Sequence, residues 1–383
     1  MMTFGFNLKP GRKFMCDVGI LTFHCADNFG AMLQAYGLKE YLRKGDADVE
    51  IVRYEPPFMA GRHWWIPYVP RNGFQGVLYS VWHGGIRNLK MGRKFFERKK
   101  HMNEFRKKYL IRKGQKKILF AKQFENLPYQ YYIVGSDQIW NPSITLGLKE
   151  VYFGVFENRN KKKVLSYAAS LGSVALPSEY DQEFSRLINC LDAVSVREGA
   201  SIPYIRQFYK KNICAVPDPV FLLSREEWIK LEKQPDKTGY IFVYMTEKNE
   251  ALINYVENLS KEKELLVVKI ESEAKISGEN VLIDYVSGPS EFLGYIHKAE
   301  YVVTNSFHGI AFSIIYQKKF AAFQHSSVGE RIRSILSLHG LEDRIYQKEE
   351  NIDIDCKIAW DMVRRRTEEN VKLAENYLWK NIK

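Results

Sequence analysis

The chain has 383 residues, of which 45% are hydrophobic and 14% are aromatic. This length exceeds that of one ordinary hydrophobic core, so we expect two domains, and the composition excludes a mainly disordered chain. No window reaches about 18 consecutive apolar residues, and the first residues lack the apolar core of a signal peptide, so we expect a cytoplasmic protein without a transmembrane helix.

The five cysteines give no sign of a metal site. They are scattered singly, without a C-x-x-C pair and without histidines at metal-ligand spacing. We expect reduced, buried thiols at all five positions, which are Cys16, Cys25, Cys190, Cys214 and Cys356.

The net charge of +12 comes from one segment, residues 86–117, which we call the basic segment. It holds fourteen Lys and Arg and two Glu, whereas the rest of the chain has 43 basic and 43 acidic residues. Apolar residues alternate with these cations as in a basic amphipathic helix, which can bind anionic lipid or nucleic acid. A solvated helix that packs by its apolar stripe is the simpler alternative. Nucleic acid is not expected, because no nucleic-acid-binding motif accompanies the segment.

Strand-like and helix-like segments alternate from residue 17 onward. Residues 17–23 predict a buried strand, 30–45 an amphipathic helix closed by a glycine, and 47–55 a second strand. Further strands are predicted at 131–140, 162–170 and 191–198, with a helix before the last of them. This alternation predicts a mainly parallel sheet covered by helices.

A second alternating series follows the proline-containing stretch "ICAVPDPVFLLS". Strands are predicted at 239–247, 265–270, 280–286, 300–306 and 318–323, and helices at 249–264, 289–299 and 308–317. A helical period of apolar residues in the tail predicts a long closing helix that packs on the first domain; these residues are Ala359, Val363, Val371, Ala374 and Leu378. We therefore expect an α/β protein with two doubly wound domains, 1–215 and 216–356, and a terminal helix, 357–383.

Polar residues collect where four predicted strands end, which is where open α/β sheets bind ligands. They are His24, Asp27, Asn28 and Gly30; Ser136, Asp137 and Gln138; Arg197 and Glu198; and Asn305, Ser306, His308 and Gly309. His308 is the strongest candidate, since packing alone does not explain Asn, Ser and Gly beside it at a strand-to-helix turn. Arg197 either binds an anion or pairs with Glu198, and His24 is either a ligand contact or a packing residue.

Several motifs of other enzyme classes are missing from the sequence. It has no G-x-G-x-x-G after the first strand, no P-loop, no G-x-S-x-G and no H-E-x-x-H. Dinucleotide binding, nucleotide hydrolysis and zinc-dependent hydrolysis are therefore not expected.

Five stretches together resemble the polysaccharide pyruvyl transferase family, from residue 17 to about residue 345. They are "VGILTFHCADNFGAMLQAYGLKEYL", "YIVGSDQIWNP", "AVSVREGAS", "VPDPVFLL" and "TNSFHGIAFSIIYQKKF". The resemblance implies two Rossmann-like domains facing a cleft, as in the glycosyltransferase B (GT-B) fold. It also implies transfer of pyruvate from phosphoenolpyruvate to two hydroxyls of a sugar in a cell-surface polysaccharide, exopolysaccharide or capsule. A cyclic ketal forms and phosphate is released, without a metal or other cofactor.

The resemblance also implies roles for individual residues. Arg197 would hold the anionic groups of the donor, and His308 would be the acid/base that contacts it. Some branches of the family carry R-L-H where this chain has Ser306, Phe307 and His308, so the arginine of that motif is missing here. Arg331 would supply the second cation of the donor site instead, and Arg333 is the second choice for this role. Asn305, Ser306, Phe307 and Gly309 complete the expected donor site. A histidine with a pKa near neutrality suits both proton donation and proton removal.

The first domain would bind the acceptor, a sugar or a lipid-linked oligosaccharide at the inner face of the plasma membrane. The expected contacts are His24, Asn28, Gly30, Ser136, Asp137, Gln138 and Trp140, although Trp140 suits the core equally well. Two alternatives stay open. One is a nucleotide-sugar-dependent glycosyltransferase of the same fold. The other is a non-catalytic protein of polysaccharide assembly.

Overall fold

The computed structural model describes residues 18–61, 89, 92–124, 127–156, 159, 162–270, 276, 280–324, 329–347 and 352–382. Cys16 and residues 86–88, 90 and 91 of the basic segment lie outside these ranges. The described strands form two parallel sheets, each covered by helices. This is the α/β architecture that the sequence predicts.

The first sheet has six strands in the order β2-β1-β3-β4-β5-β6. The strands are β1 (Val18–Leu21), β2 (Val49–Ile51), β3 (Tyr131–Asp137), β4 (Lys163–Ala169), β5 (Val194–Val196) and β6 (Ile213–Ala215). In β1 all four side chains are buried, as the apolar run predicts. The sequence gives no strand at β6, which has three residues and only one buried side chain, too short for a periodic signal.

The second sheet has five strands in the order β11-β10-β7-β8-β9. They are β7 (Ile241–Tyr244), β8 (Val267–Ile270), β9 (Val281–Asp284), β10 (Tyr301–Thr304) and β11 (Lys319–Ala322). The strand order reverses between β7 and β10, which pair in parallel with Thr304 beside Tyr244. Ligand sites of doubly wound sheets lie beyond the strand ends at such a reversal.

The helices lie between these strands and after them. They are α1 (Phe29–Lys44), α2 (Pro57–Ala60), α3 (Arg93–Phe105), α4 (Pro142–Thr145), α5 (Asp181–Ile188), α6 (Ile202–Phe208), α7 (Arg225–Ile229), α8 (Glu250–Lys263), α9 (Pro289–Lys298), α10 (Phe307–Ile315), α11 (Gly329–His339) and α12 (Trp360–Ile382). A π-helical turn, Arg106–Leu110, continues α3. Among these, α11 and the short helices α2, α4, α6 and α7 are not predicted from the sequence.

One apolar core joins the two sheets through α1 and α9. Phe29 on α1 stacks on Phe292 on α9, with the ring centroids 5.1 Å apart. The same cluster contains Ile20 under the first sheet and Phe242 and Val302 under the second. The two sheets are therefore held together by continuous apolar contact.

The closing helix α12 packs on the first domain, as expected. The hydroxyl of Tyr377 donates a hydrogen bond to the carbonyl oxygen of Ser166 in β4 at 2.8 Å. Trp379 lies so close to Gly45 that a Cβ at position 45 would be 2.1 Å from its ring. Among the residues with coordinates described above, no helix is long and apolar enough to cross a membrane.

The expectation for the cysteines is wrong in part. Cys25, Cys190, Cys214 and Cys356 are free thiols, but only Cys25 is buried, and Cys356 is exposed. Cys356 precedes α12 in a short loop, which explains its exposure.

Candidate active site

The turn from β10 into α10 forms a helix N-terminus at the reversal of the second sheet. Ser306 caps α10, and its Oγ accepts a hydrogen bond from the backbone N–H of Gly309 at 3.4 Å. A Cβ at position 309 would lie 2.4 Å from Oγ1 of Thr304, so only glycine fits there. The free N–H groups and the positive dipole end of a helix start favour an anion.

The buried side chain of Asn305 connects this turn to the segment that follows β7. Its Oδ1 accepts a hydrogen bond from the backbone N–H of Thr246, and its Nδ2 donates one to the carbonyl oxygen of Glu247, both at 2.8 Å. The side chain is 2% exposed. Asn305 therefore ties the end of β7 to the end of β10, a structural task that the sequence did not predict for it.

His308 lies against the first turn of α1. A Cβ at Gly30 would be 1.9 Å from Nδ1 of His308, so the imidazole occupies the space that a side chain at position 30 would need. This explains Gly30 better than the expected contact with an acceptor. On its other side, Nε2 of His308 lies 3.8 Å from Oδ2 of Asp218.

Asp218 is a central residue of the site that sequence reasoning missed. Its Oδ2 accepts a hydrogen bond from Nη1 of Arg197 at 2.9 Å and lies 3.1 Å from Oγ of Ser136. Its Oδ1 accepts from the backbone N–H of Val220 at 3.2 Å. The signal was present in the stretch "VPDPVFLL", where a lone carboxylate stands between two prolines.

Arg197 is neutralised by two carboxylates, so it is not a free anion-binding cation. Besides Asp218, it binds Oε1 of Glu198 through Nε at 2.8 Å, which was the alternative left open by the sequence. Its guanidinium lies 4.2 Å from the ring centre of Phe307, and that of Arg331 lies 5.4 Å from the same ring. Phe307 is thus a platform for both arginines.

Four buried polar atoms in this cluster have no hydrogen-bond partner among the residues that the structure describes. They are Nη2 of Arg197, Oε2 of Glu198, Nε2 of His308 and Nε of Arg331. Buried polar atoms are almost always paired in native proteins, so unpaired ones gathered at one place indicate a site for a polar ligand. Arg331 has only a loose contact of 3.6 Å with Glu198, and of the two arginines considered on α11 it is the buried one.

The protonation of His308 differs from the expectation. Burial, together with the charges of Arg197 and Arg331, lowers the pKa of His308 to about 4, although Asp218 partly opposes this shift. Burial and the neighbouring Arg197 also lower the pKa of Arg331 to about 10, so it stays protonated at neutral pH. For Arg197, burial alone would lower the pKa, but Glu198 and Asp218 outweigh it and raise the pKa. His308 is therefore a neutral base in the free site.

Phe307, His308 and Arg331 border a cavity of about 780 Å³ between the two sheets. Its second-domain wall includes Thr246, Asn305, Ser306, Phe307, His308 and Arg331, and its first-domain wall includes Asp27, Asn28, Asp137, Gln138 and Asn141. The structure thus brings the expected donor turn together with three of the expected acceptor contacts, Asn28, Asp137 and Gln138. Asp27 and Asn141 belong to the same two loops and line the cavity beside them.

Three of the other predicted acceptor contacts are buried in the first domain. His24 is 0% exposed, its Nδ1 lies 3.2 Å from the carbonyl oxygen of Thr22, and burial lowers its pKa to about 4. Trp140 is also 0% exposed and stacks on Phe153 with ring centroids 5.3 Å apart, so it belongs to the core. Ser136 is 0% exposed and lies against Asp218. None of the three has a surface for a sugar.

A larger cavity of about 1430 Å³ lies on the other side of Arg197. Its described lining includes Arg197 and the reserve arginine Arg333, whereas His308 lines the smaller cavity. We therefore place the chemistry in the smaller one. In the part of the chain that the structure covers, no three His, Cys, Asp or Glu side chains are grouped to hold a metal ion.

Two parallel sheets whose strand ends face a shared cleft define a GT-B-like protein, and one of the three solved structures compared below reaches a TM-score of 0.50. The chain is 11% identical to the Listeria monocytogenes protein named as a UDP-N-acetylglucosamine 2-epimerase, with a TM-score of 0.50 and 95% of each chain covered. It is 12% identical to the Methanocaldococcus jannaschii UDP-GlcNAc 2-epimerase, with a TM-score of 0.47, covering 96% of this chain and 93% of that one. It is 11% identical to a Thermobaculum terrenum O-GlcNAc transferase mutant, with a TM-score of 0.40, covering 96% of this chain and 64% of that one. At these identities the likeness concerns the fold alone.

The family is fixed by the sequence itself. The model of the polysaccharide pyruvyl transferase family matches residues 28–327, which include β3, β5 and α10 with His308, whereas Asp27 and Arg331 of the cavity walls lie just outside the match. The chain therefore belongs to this family, which is one of transferases. No curated protein matches the sequence closely enough to count as a relative.

Proposed function

We propose that the chain transfers pyruvate from phosphoenolpyruvate to two hydroxyls of a sugar in a cell-surface polysaccharide or its lipid-linked precursor. The observation that carries this proposal is the cluster of unpaired buried polar atoms around His308, at a helix N-terminus inside the family's matched region. An anionic donor suits a helix start flanked by Arg331. The wall with Asn28, Asp137 and Gln138 faces it and suits a polyhydroxyl acceptor.

The charges assign different tasks to the two arginines. Arg331 has no close carboxylate partner and lines the cavity, so it binds the phosphate or carboxylate of the donor directly. Arg197 is already paired with Glu198 and Asp218 and does not line the smaller cavity, so it holds Asp218 and Phe307 in place. Its main role is therefore positioning.

The reaction needs one proton carrier, and His308 is placed to be it. The bond between C2 of the donor and the phosphate oxygen breaks, C3 gains a proton, and two sugar oxygens bond to C2. One hydroxyl proton ends on C3 and the other on the released phosphate, so atoms and charge balance. Neutral His308 accepts the first hydroxyl proton through its unpaired Nε2, and a bound anionic donor raises its pKa and favours the imidazolium that then donates it.

Purified protein incubated with phosphoenolpyruvate and a panel of galactose-type and N-acetylmannosamine-type acceptors tests this function. We expect phosphate release that depends on both substrates, together with an acceptor whose mass increases by that of a pyruvate ketal. His308→Gln should abolish both while the protein stays folded. Turnover of UDP-N-acetylglucosamine with the same acceptors, and none of phosphoenolpyruvate, would instead show a nucleotide-sugar-dependent glycosyltransferase. If cells carrying His308→Gln keep the pyruvate content of their polysaccharide, the protein is a non-catalytic assembly component.

A further inference from the structure

The proposed reaction makes no use of the basic segment. This segment carries the whole charge excess of the chain, with fourteen basic and two acidic residues. So many basic residues on one surface helix favour binding to an anionic partner that is larger than the donor.

Helix α3 has one packed face and one exposed face. Met102 and Phe105 are buried against the rest of the protein, so the apolar stripe does pack as the simpler alternative expects. On the opposite side Arg93, Phe96 and Lys100 follow one another at helical spacing, and all three are exposed. Lys107 follows on the π-helical turn and is exposed as well. We call these four residues the basic face.

The ion pairs on the basic face are weak. Arg93 pairs with Glu97 at 2.7 Å and Lys100 lies 3.9 Å from Glu104, both on the helix surface. Exposed pairs of this type contribute very little to stability, far too little to prevent these cations from binding an anionic surface. The basic face therefore keeps its charge available.

Exposed apolar side chains accompany these cations. The three most exposed large apolar residues of the described chain are Leu89 at 67%, Phe120 at 61% and Phe96 at 60%, and all lie within or next to the basic segment. Cations beside an exposed aromatic ring are the combination with which interfacial helices bind lipid headgroups and insert into the acyl boundary. An aliphatic residue such as Leu89 cannot stack on nucleic-acid bases as an aromatic ring does, which favours lipid.

The basic face also lies next to the proposed active site. Lys99 and Arg106, on the packed side of the same helix, both bind Asp27, and Arg106 does so at 2.8 Å. Asp27 and Asn28 line the cavity. A membrane that contacts the basic face would therefore lie near the entrance used by an acceptor on a lipid carrier.

We infer that the basic face is a peripheral binding surface for anionic phospholipid bilayers. Binding follows from charge and apolar exposure, so it goes beyond the proposed function and holds even if that function fails. Each Lys or Arg near an anionic bilayer contributes about 1 kcal/mol. Removing three of them by Arg93→Glu, Lys100→Glu and Lys107→Glu should lower vesicle partitioning about 100-fold or more. Phe96→Ser should lower it about tenfold.

The test is sedimentation of the full chain with phosphatidylcholine vesicles, with and without phosphatidylglycerol, at low and high salt. No donor or acceptor is needed, so the result is independent of catalysis. The matched control is Arg365→Glu, Lys372→Glu and Lys380→Glu, which makes the same change in net charge at exposed positions of α12. We expect binding that requires phosphatidylglycerol, falls with salt, and is lost in the α3 variant but kept in the α12 variant.

Three outcomes would overturn the inference. The first is equal binding to vesicles without phosphatidylglycerol. The second is an equal loss of vesicle binding in the α3 and α12 triple variants, which would mean that binding depends only on the net charge of the protein. The third is duplex DNA or RNA that binds through the same three residues more tightly than the vesicles do, which would assign the basic face to nucleic acid.

Discussion

His308 is held by residues from four separate parts of the chain. Gly30 on α1 makes room for its ring, Asp218 after β6 faces its Nε2, and Arg331 on α11 lines the same cavity. Arg197 after β5 fixes Asp218 through a hydrogen bond of 2.9 Å. The protonation state of one imidazole is therefore set by contacts that exist only in the folded protein.

The first prediction concerns the pH at which His308 titrates. In the protein alone we expect a midpoint of about 4, because burial and the two arginines disfavour the imidazolium. The folded-state pKa lies below the ordinary value, so His308 stays neutral from pH 7 down to about 5. Adding inorganic phosphate or phosphoenolpyruvate should raise the midpoint. NMR of the histidine rings measures it, with His308→Gln to assign the signal; a midpoint near 6.5 without ligand would contradict the prediction.

The second prediction concerns Asp218→Asn. The change removes the charged acceptor of Arg197 and the carboxylate that raises the pKa of His308, so that pKa should fall further. Hydrogen bonds to charged groups contribute about 1.5–3 kcal/mol, so pyruvyl transfer should fall about tenfold or more. Loss of one member of a buried ion pair should also cost about 3–5 kcal/mol of stability.

The matched control for Asp218→Asn is Glu198→Gln. It removes the other carboxylate of Arg197, while Asp218 stays 3.8 Å from His308. Both variants should lose stability, but only Asp218→Asn should shift the titration of His308. An equal shift in both would mean that Asp218 acts through Arg197 alone.

The sequence predicted part of this site, for a clear physical reason. Parallel strands of one sheet end at the same edge, so polar residues after β3 and β5 had to lie near one another, and the family resemblance, which implies two domains facing a cleft, put those after β10 opposite them. His308, Asp137 and Arg197 were found in that way. Burial was not predictable, because His24 and Trp140 follow the same pattern and yet fill the core. Asp218 was missed because it follows a strand too short to give a signal.

At the scale of single elements, α12 shows what the helical period of apolar residues in a sequence predicts about a surface helix. The predicted stripe included Val363, Ala374 and Leu378, and the structure buries all three. The same prediction placed Ala359 in the helix, although α12 begins at Trp360. The face of a helix is thus better defined by sequence than its ends, since end residues lack half of their helical neighbours.

The third prediction compares two leucines of α12. Leu378 is 0% exposed and Leu373 is 56% exposed. Because both lie inside the same helix, Leu→Ala changes helix propensity equally and differs only in packing. Leu378→Ala should lower the free energy of unfolding by about 2–5 kcal/mol. Leu373→Ala should change it by about 0.5 kcal/mol or less. Urea denaturation measures both, and equal losses would mean that α12 does not pack on the first domain in solution.

At the scale of the whole molecule, the contact between the two sheets is apolar rather than polar. Phe29, Phe292 and Phe312 link α1, α9 and α10, with Phe292 and Phe312 ring centroids 6.1 Å apart. Interfaces between domains of one chain are usually more polar than this and permit relative motion. The cavity with His308 is lined from both sheets, so we expect this contact to fix the spacing of its two walls.

The fourth prediction is that the whole chain unfolds in one cooperative transition. One apolar cluster contains residues under both sheets, so neither sheet can unfold without exposing the other's core. Phe292→Ala, in the shared cluster, should lower the free energy of unfolding by about 3–5 kcal/mol. Phe184→Ala, in the separate cluster of the first domain, should cost about the same and should shift the same transition. Calorimetry should give equal calorimetric and van't Hoff enthalpies for the parent chain and both variants. Two transitions, with Phe184→Ala moving only one of them, would show that the sheets unfold separately and that the spacing of the cavity walls is not fixed by their contact.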